Sequence, residues 1–188
     1  MDYIESAIAA DDSYALARLI KAWMLHSGRE NTVSDTVSRL IVEVEERLPS
    51  HNGYEAQLLS ALKLSKAGKS IESATVLEQM LVETPTDVYV HKMVQDEIFW
   101  LGKAHWMRDI TERAAPFWQE SSAHYGSFLS YRAFANEEAG YLDEAELYGL
   151  AALEIDPTDI WGAHAVAHAL LMKGEIRRGV GWLEDLSA

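Results

Sequence analysis

Apolar residues recur at helical spacing along almost the whole chain. Leu16, Leu19, Ile20 and Trp23 share one face of a predicted helix over 14–27 that ends at Gly28. Val37, Leu40, Ile41, Val44 and Leu48 do the same over 36–48. Ahead of them, Tyr3 to Ala10 reads as the last turns of a helix, and Asp11, Asp12 and Ser13 are expected to cap the next one. After the breaker cluster Pro49-Ser-His-Asn-Gly53, helices are predicted over 54–67, 70–83, 88–101 and 103–120. Pro116 should kink or end the last of these near Ala115, and Ser121 is expected to cap the helix that follows. No stretch alternates for long enough to read as a strand.

From Gly126 to Asp185 the pattern tightens into two helix–turn–helix units. Ala133 and Ala145 allow two helices to pack closely, Gly140 permits the tight turn between them, and Pro157 ends the second because it has no N–H to donate. Ala152-Leu153 completes this set, and Ala167, Gly174 and Gly179 restart it. A longer period lies beneath. Gly68 and Gly140, Pro85 and Pro157, and Gly102 and Gly174 each lie 72 residues apart, as do Ala61 and Ala133, and Leu81 and Leu153. Pro-Thr-Asp stands at 85–87 and again at 157–159, followed by Val88-Tyr89 and Ile160-Trp161. These offsets resemble the tetratricopeptide repeat, a unit of roughly 34 residues whose apolar faces are buried only against neighbouring units. The expected fold is all-α: a right-handed tetratricopeptide-repeat-like superhelix of about five helical hairpins, with residues 1–188 forming one domain that lacks terminal caps.

Further segments narrow the resemblance. Tyr125-Gly-Ser-Phe, Glu137-Glu-Ala-Gly140, Ala145-Glu146, Asp159-Ile-Trp161, His164-Ala-Val-Ala-His168 and Gly179-Val-Gly-Trp182-Leu183 resemble the tetratricopeptide repeat protein 38 family. Asp11 to Gly28 and Pro85 to Gly102 match it more weakly, so the likeness runs over nearly the whole chain. It implies a helical repeat scaffold, and this chain would correspond to the N-terminal half of the family's usual length. Asp12 departs from the pattern, standing where the family usually carries a proline.

Composition narrows the partners. Hydrophobic residues make up 48% of the chain, which argues for a packed core rather than disorder. A formal charge of −14 disfavours nucleic acid and anionic membrane surfaces, and would attract a basic partner. There is no cysteine, hence no disulfide or thiolate chemistry. The N-terminus lacks a secretory pattern, so a cytoplasmic protein is expected.

Repeat phase then places candidate residues on the concave face of the first helices. Trp161, His164 and His168 share one face at i, i+3 and i+7, with Cβ atoms of the histidines roughly 5–6 Å apart. Phase from Gly140 sets Ser127, Ser130, Phe134, Glu137 and Glu138 beside them, and phase from Gly102 adds Tyr89, Lys92, Asp96, Phe99 and Trp100. The pair His164/His168 reads in three ways: hydrogen-bonded to Glu138, Tyr131 or a carbonyl; part of a peptide- or ligand-binding surface; or two ligands of a zinc ion that Glu138 or Asp96 would complete. Adjacent carboxylates at 137–138 read as a solvated face, and Trp100, Trp106 and Trp118 as core. The favoured function is therefore a scaffold for a protein or peptide partner, with a metal- or small-molecule-binding half-site, enzymatic in the extreme, as the alternative. Finally, Ile176, Val180, Trp182 and Leu183 form an apolar stripe on the last helix through which a homodimer is expected.

Overall fold

The computed structural model describes residues 1–48 and 53–186, which form eleven α-helices and two single turns of 3-10 helix, with no strand among them. The breaker cluster at 49–52 lies outside the described residues. Contacts divide the chain into two compact units, Met1–Glu83 and Thr84–Ala188, where the sequence reading expects one domain. In the first unit, α1 (Asp2–Ala10) packs on α2 (Ala15–Ser27), which pairs with α3 (Ser34–Arg47), and α4 (Tyr54–Lys66) pairs with α5 (Ser70–Glu83). The second unit holds three hairpins: α6 (Val88–Trp100) with α7 (Ala104–Ala114), α8 (Tyr125–Glu138) with α9 (Leu142–Ile155), and α10 (Ile160–Met172) with α11 (Ile176–Leu186). Five hairpins are thus present, as the repeat spacing requires. Pro116 acts as expected: α7 stops at Ala114 and a 3-10 turn over Ala115–Phe117 follows.

The small residues do what the spacing asks of them. Gly68 and Gly140 turn the α4–α5 and α8–α9 hairpins at φ +76° and +82°, a left-handed conformation that is cheap only without a Cβ. Ala61, Ala133, Ala145 and Ala152 are fully buried. The tightest approach is between α9 and α10, where a Cβ placed on Gly149 would lie 2.6 Å from Val166 Cγ2 and 3.0 Å from the Gly162 carbonyl. The repeated Pro-Thr-Asp motif is a helix cap. Asp87 Oδ1 accepts from the N–H groups of Tyr89 and Val90, and Asp159 Oδ1 from those of Trp161 and Gly162. Such a cap contributes about 1 kcal/mol. Trp118 stacks on Phe128 with ring centroids 4.6 Å apart, and its indole N–H donates to the Pro85 carbonyl at 3.2 Å. His91 Nε2 reaches the same carbonyl at 3.1 Å, while burial holds the ring neutral with its pKa lowered to about 4.

Two local expectations are corrected. Asp11, Asp12 and Ser13 do not cap α2; Asp11 closes a turn of its own by accepting from the Ser13 N–H and hydroxyl, and Asp12 bridges Arg18 and Arg47 at 2.5 and 3.0 Å. Ser121 does not cap α8, whose preceding residue is His124 at φ +63°. α2 ends at Gly28 as expected; Gly28 keeps helical angles, and the left-handed residue is Arg29 at φ +55°.

Candidate functional site

Within the second unit, α8 lies between α6 and α10 and packs against both. The face these three helices share carries a continuous run of rings. Trp100 meets Phe99 at 5.5 Å between centroids, Phe99 meets Phe134 at 5.7 Å, and Phe134 meets both Trp161 at 5.8 Å and His164 at 6.2 Å. His164 then lies 4.2 Å from His168. Tyr89, Phe99, Trp100 and Trp161 are exposed along this run. Trp100, set on this face by repeat phase but also read as core with Trp106 and Trp118, is 54% exposed here; of the three, only Trp118 is buried.

Polar groups follow the rings. Lys92 pairs with Asp96 one turn along α6, and its ammonium stands 4.6 Å above the Trp161 ring. Lys92 thus reaches from α6 to α10 across the intervening α8. Tyr131, half-buried on α8 near Asp96, Asp159 and Tyr89, has its phenol pushed up to about 12, first by burial and then by those neighbours. Ser130 is buried and donates its hydroxyl to Asp159.

The acid that meets the histidines is Glu137. Its Oε1 lies 3.4 Å from His168 Nδ1, its side chain is only 3% exposed, and its Oε2 has no hydrogen-bond partner among the described residues. The 137–138 pair is therefore not a solvated face. Burial, and then the charge of Glu138, raises the Glu137 carboxyl above the usual carboxylate range. Burial also raises Glu138, which is half-buried and has no hydrogen-bond or ion-pair partner among the described residues. His164 is lowered by burial and by His168. The two imidazole planes are inclined by 33°. Among the described residues no group of three or more His, Asp or Glu side chains is placed to hold a metal ion.

Two other clusters are absent from the sequence reading. In the first unit, His26 Nε2 is 2.7 Å from Ser65 Oγ, and Arg29 Nη1 is 2.9 Å from each. Burial first, then the charges of Arg29 and Lys66, lowers the His26 pKa to about 4. This has the look of a base and a nucleophile, but Ser65 is 2% exposed and closed to substrate. Residues 39 apart on separate hairpins leave no local signature. In the second unit, a cleft of about 740 Å³ lies between α8 and α9, lined by Tyr125, Arg132, Tyr148 and Glu154 among others, away from the aromatic run. Its one central cation is engaged: Arg132 forms a fork on Glu112 and lies 3.9 Å from the Tyr148 ring. On α11, Ile176, Val180 and Leu183 are exposed, whereas Trp182 is half-buried and leaves the predicted stripe.

No protein-family model matches the chain. A solved structure of a MamA point mutant is similar, with a TM-score of 0.54 at 16% identity, over 94% of this chain and 98% of that one. At that identity the likeness shows the fold alone, and the fold is all-α and tetratricopeptide-like. Among the described residues no helix is long and apolar enough to cross a membrane.

Proposed function

We propose that this chain is an interaction scaffold that holds a peptide segment of another protein on the shared face of α6, α8 and α10. The observation that carries this is the run of exposed and half-exposed rings from Trp100 through Phe99, Phe134 and Trp161 to His164. A contiguous aromatic surface of this kind is what interfaces use as anchors. A tetratricopeptide-like fold supports the reading without specifying the site. The test is selection from a random displayed-peptide library. Selected peptides should lose about ten-fold or more in affinity on Phe134→Ala or Trp161→Ala, which is roughly 1.4 kcal/mol. Binders indifferent to both substitutions would remove this face from consideration.

Two further readings have their own readouts. A metal half-site at His164 and His168 requires zinc to raise the melting temperature of the wild type but not of His168→Ala. The exposed Ile176, Val180 and Leu183 of α11 support a homodimer; sedimentation equilibrium giving a single-chain mass throughout the micromolar range would dismiss it. The cytoplasmic assignment and the finer resemblance to tetratricopeptide repeat protein 38 rest on the sequence segments alone.

A further inference from the structure

We infer that the segment held on this face is basic, with a lysine or arginine side chain seated between the Glu138 carboxylate and the rings of Phe134, Trp161 and His164. This rests on the scaffold reading and adds the chemistry of the partner. Phe134 and Glu138 are one turn apart on α8, so their side chains are neighbours. Phe134 in turn touches Trp161 and His164 across the α8–α10 seam. A cation entering there would find an acid on one side and ring faces on the other, the two groups that recognise guanidinium and ammonium ions.

Charge balance points the same way. Asp96, Glu137 and Glu138 lie on or beneath this face, and the lysine that reaches it, Lys92, is already taken by Asp96 and the Trp161 ring. Lys92 also demonstrates the chemistry, since a cation over Trp161 is accommodated within this very surface. Glu138 makes no hydrogen bond or ion pair among the described residues and feels only the charge of His168, and Glu137 is buried beside His168 Nδ1 with Oε2 unpaired. A buried carboxylate oxygen with nothing to accept is costly and calls for a cause. His168 accounts for Oε1 and leaves Oε2 without a cause. Held in a poorly solvated site, Glu137 reinforces the field at Glu138 and draws a cation toward the rings. Arginine fits best, because its planar fork meets a carboxylate and its faces stack on aromatic rings.

Three capped octapeptides serve as probes: alternating leucine with arginine, with glutamine, or with glutamate. Binding is read by calorimetry alongside the library selection. The arginine peptide should bind at least ten-fold more tightly than the glutamine peptide, and the glutamate peptide should not bind measurably. Glu138→Gln should remove about ten-fold of the arginine peptide's affinity, and 0.5 M salt should weaken it further. Glu72→Gln, on the exposed face of α5, controls for the overall acidity of the chain and should change nothing. Glu137→Gln should weaken the arginine peptide while raising the melting temperature of the free protein. A merely structural glutamate would not produce that opposition. Arginine and glutamine peptides of equal affinity, both lost in Phe134→Ala, would overturn the basic partner and leave the scaffold standing. Equal losses in Glu138→Gln and Glu72→Gln would overturn it as well, as bulk attraction. A library that yields no Phe134-dependent binder would remove the scaffold reading and this inference together.

Discussion

The α4–α5 and α8–α9 hairpins are the same object twice, 72 residues apart, yet they present opposite chemistry at the same positions. Gly68 and Gly140 turn both, and Ala61 and Ala133 are fully buried in both. The differences begin where each first helix ends. Ser65 and Lys66 stand where Glu137 and Glu138 stand in the later copy. The earlier hairpin gathers cations there: Arg29 and Lys66 surround His26, and Ser65 is sealed in hydrogen bonds. The later one gathers acids beneath a histidine, with no lysine or arginine paired to them among the described residues. Leu58 and Leu62, fully buried in α4, become Ser130 and Phe134 in α8, and the phenylalanine turns to the open face. The repeat therefore dictates backbone and turn, while a few substitutions on the first helix decide whether a hairpin closes on itself or offers a surface.

Transplanting a residue between the copies gives the largest expected effect. Gly149 in α9 corresponds to the fully buried Leu77 in α5. Because even a Cβ at Gly149 would press into Val166 and the Gly162 carbonyl, Gly149→Leu must push α9 away from α10. The expected loss is roughly 3 kcal/mol or more, against 1–3 for ordinary overpacking such as Ala133→Leu. Urea unfolding measures both. A Gly149→Leu protein as stable as the wild type would mean that α9 and α10 do not pack as closely as these distances require.

Next in size is a pair of opposite pH dependences. His26 is lowered to about 4, so the fold favours its neutral form. That contribution is complete above pH 6.5 and is lost as pH falls from 6.5 through 4. Glu137 and Glu138 are raised, so the fold disfavours their ionised forms, and stability falls as pH rises from 4.5 through their elevated values. His26→Gln should gain on the wild type in acid by about 1 kcal/mol, a modest figure because the ring is partly solvated. Glu137→Gln should gain toward neutral pH instead. His91 titrates in the same sense as His26, so the comparison is made on variant-minus-wild-type differences in melting temperature. Parallel slopes for the two variants would show that the sites do not differ in kind.

The period and the turns were legible in the sequence because glycine and proline act through their own backbones. That is why helix ends fall within about two residues of expectation and why α7 stops before Pro116. The aromatic run was legible too, since repeat phase assigns a face before any contact is known. What the sequence hides is burial depth and distant partnership. Glu137 and Glu138 look alike as letters, and only the packing of α10 sets one beneath His168 and leaves the other at the rim. Trp100 has the spacing of a core residue, but the side it faces is open. Asp11 and Ser13 have cap chemistry, yet they bond to each other first, a local competition that composition does not resolve.

The smallest effect tests the turns themselves. The α8–α9 hairpin places glycine in its left-handed position, Gly140, whereas the α2–α3 connection places Arg29 there at φ +55°. For a residue with a Cβ this conformation costs roughly 1–2 kcal/mol. Arg29 offsets the cost with its guanidinium, which bonds Ser65 Oγ and His26 Nε2. Arg29→Gly removes both the strain and these bonds, while the Ser65–His26 hydrogen bond can persist. The net change should therefore stay within about 1 kcal/mol of zero, since a typical hydrogen bond contributes about as much as the strain removes. Arg29→Ala removes the bonds and keeps the strain, so it should be about 1 kcal/mol less stable than Arg29→Gly. Gly140→Ala provides the same step in the other unit, at φ +82° and with no side-chain bond to lose. If the two hairpins share one turn geometry, the alanine-minus-glycine difference from urea unfolding should match at both positions. An Arg29→Gly protein no more stable than Arg29→Ala, beside a clear loss in Gly140→Ala, would show that the earlier turn carries no strain and that the equivalence of the hairpins stops short of it.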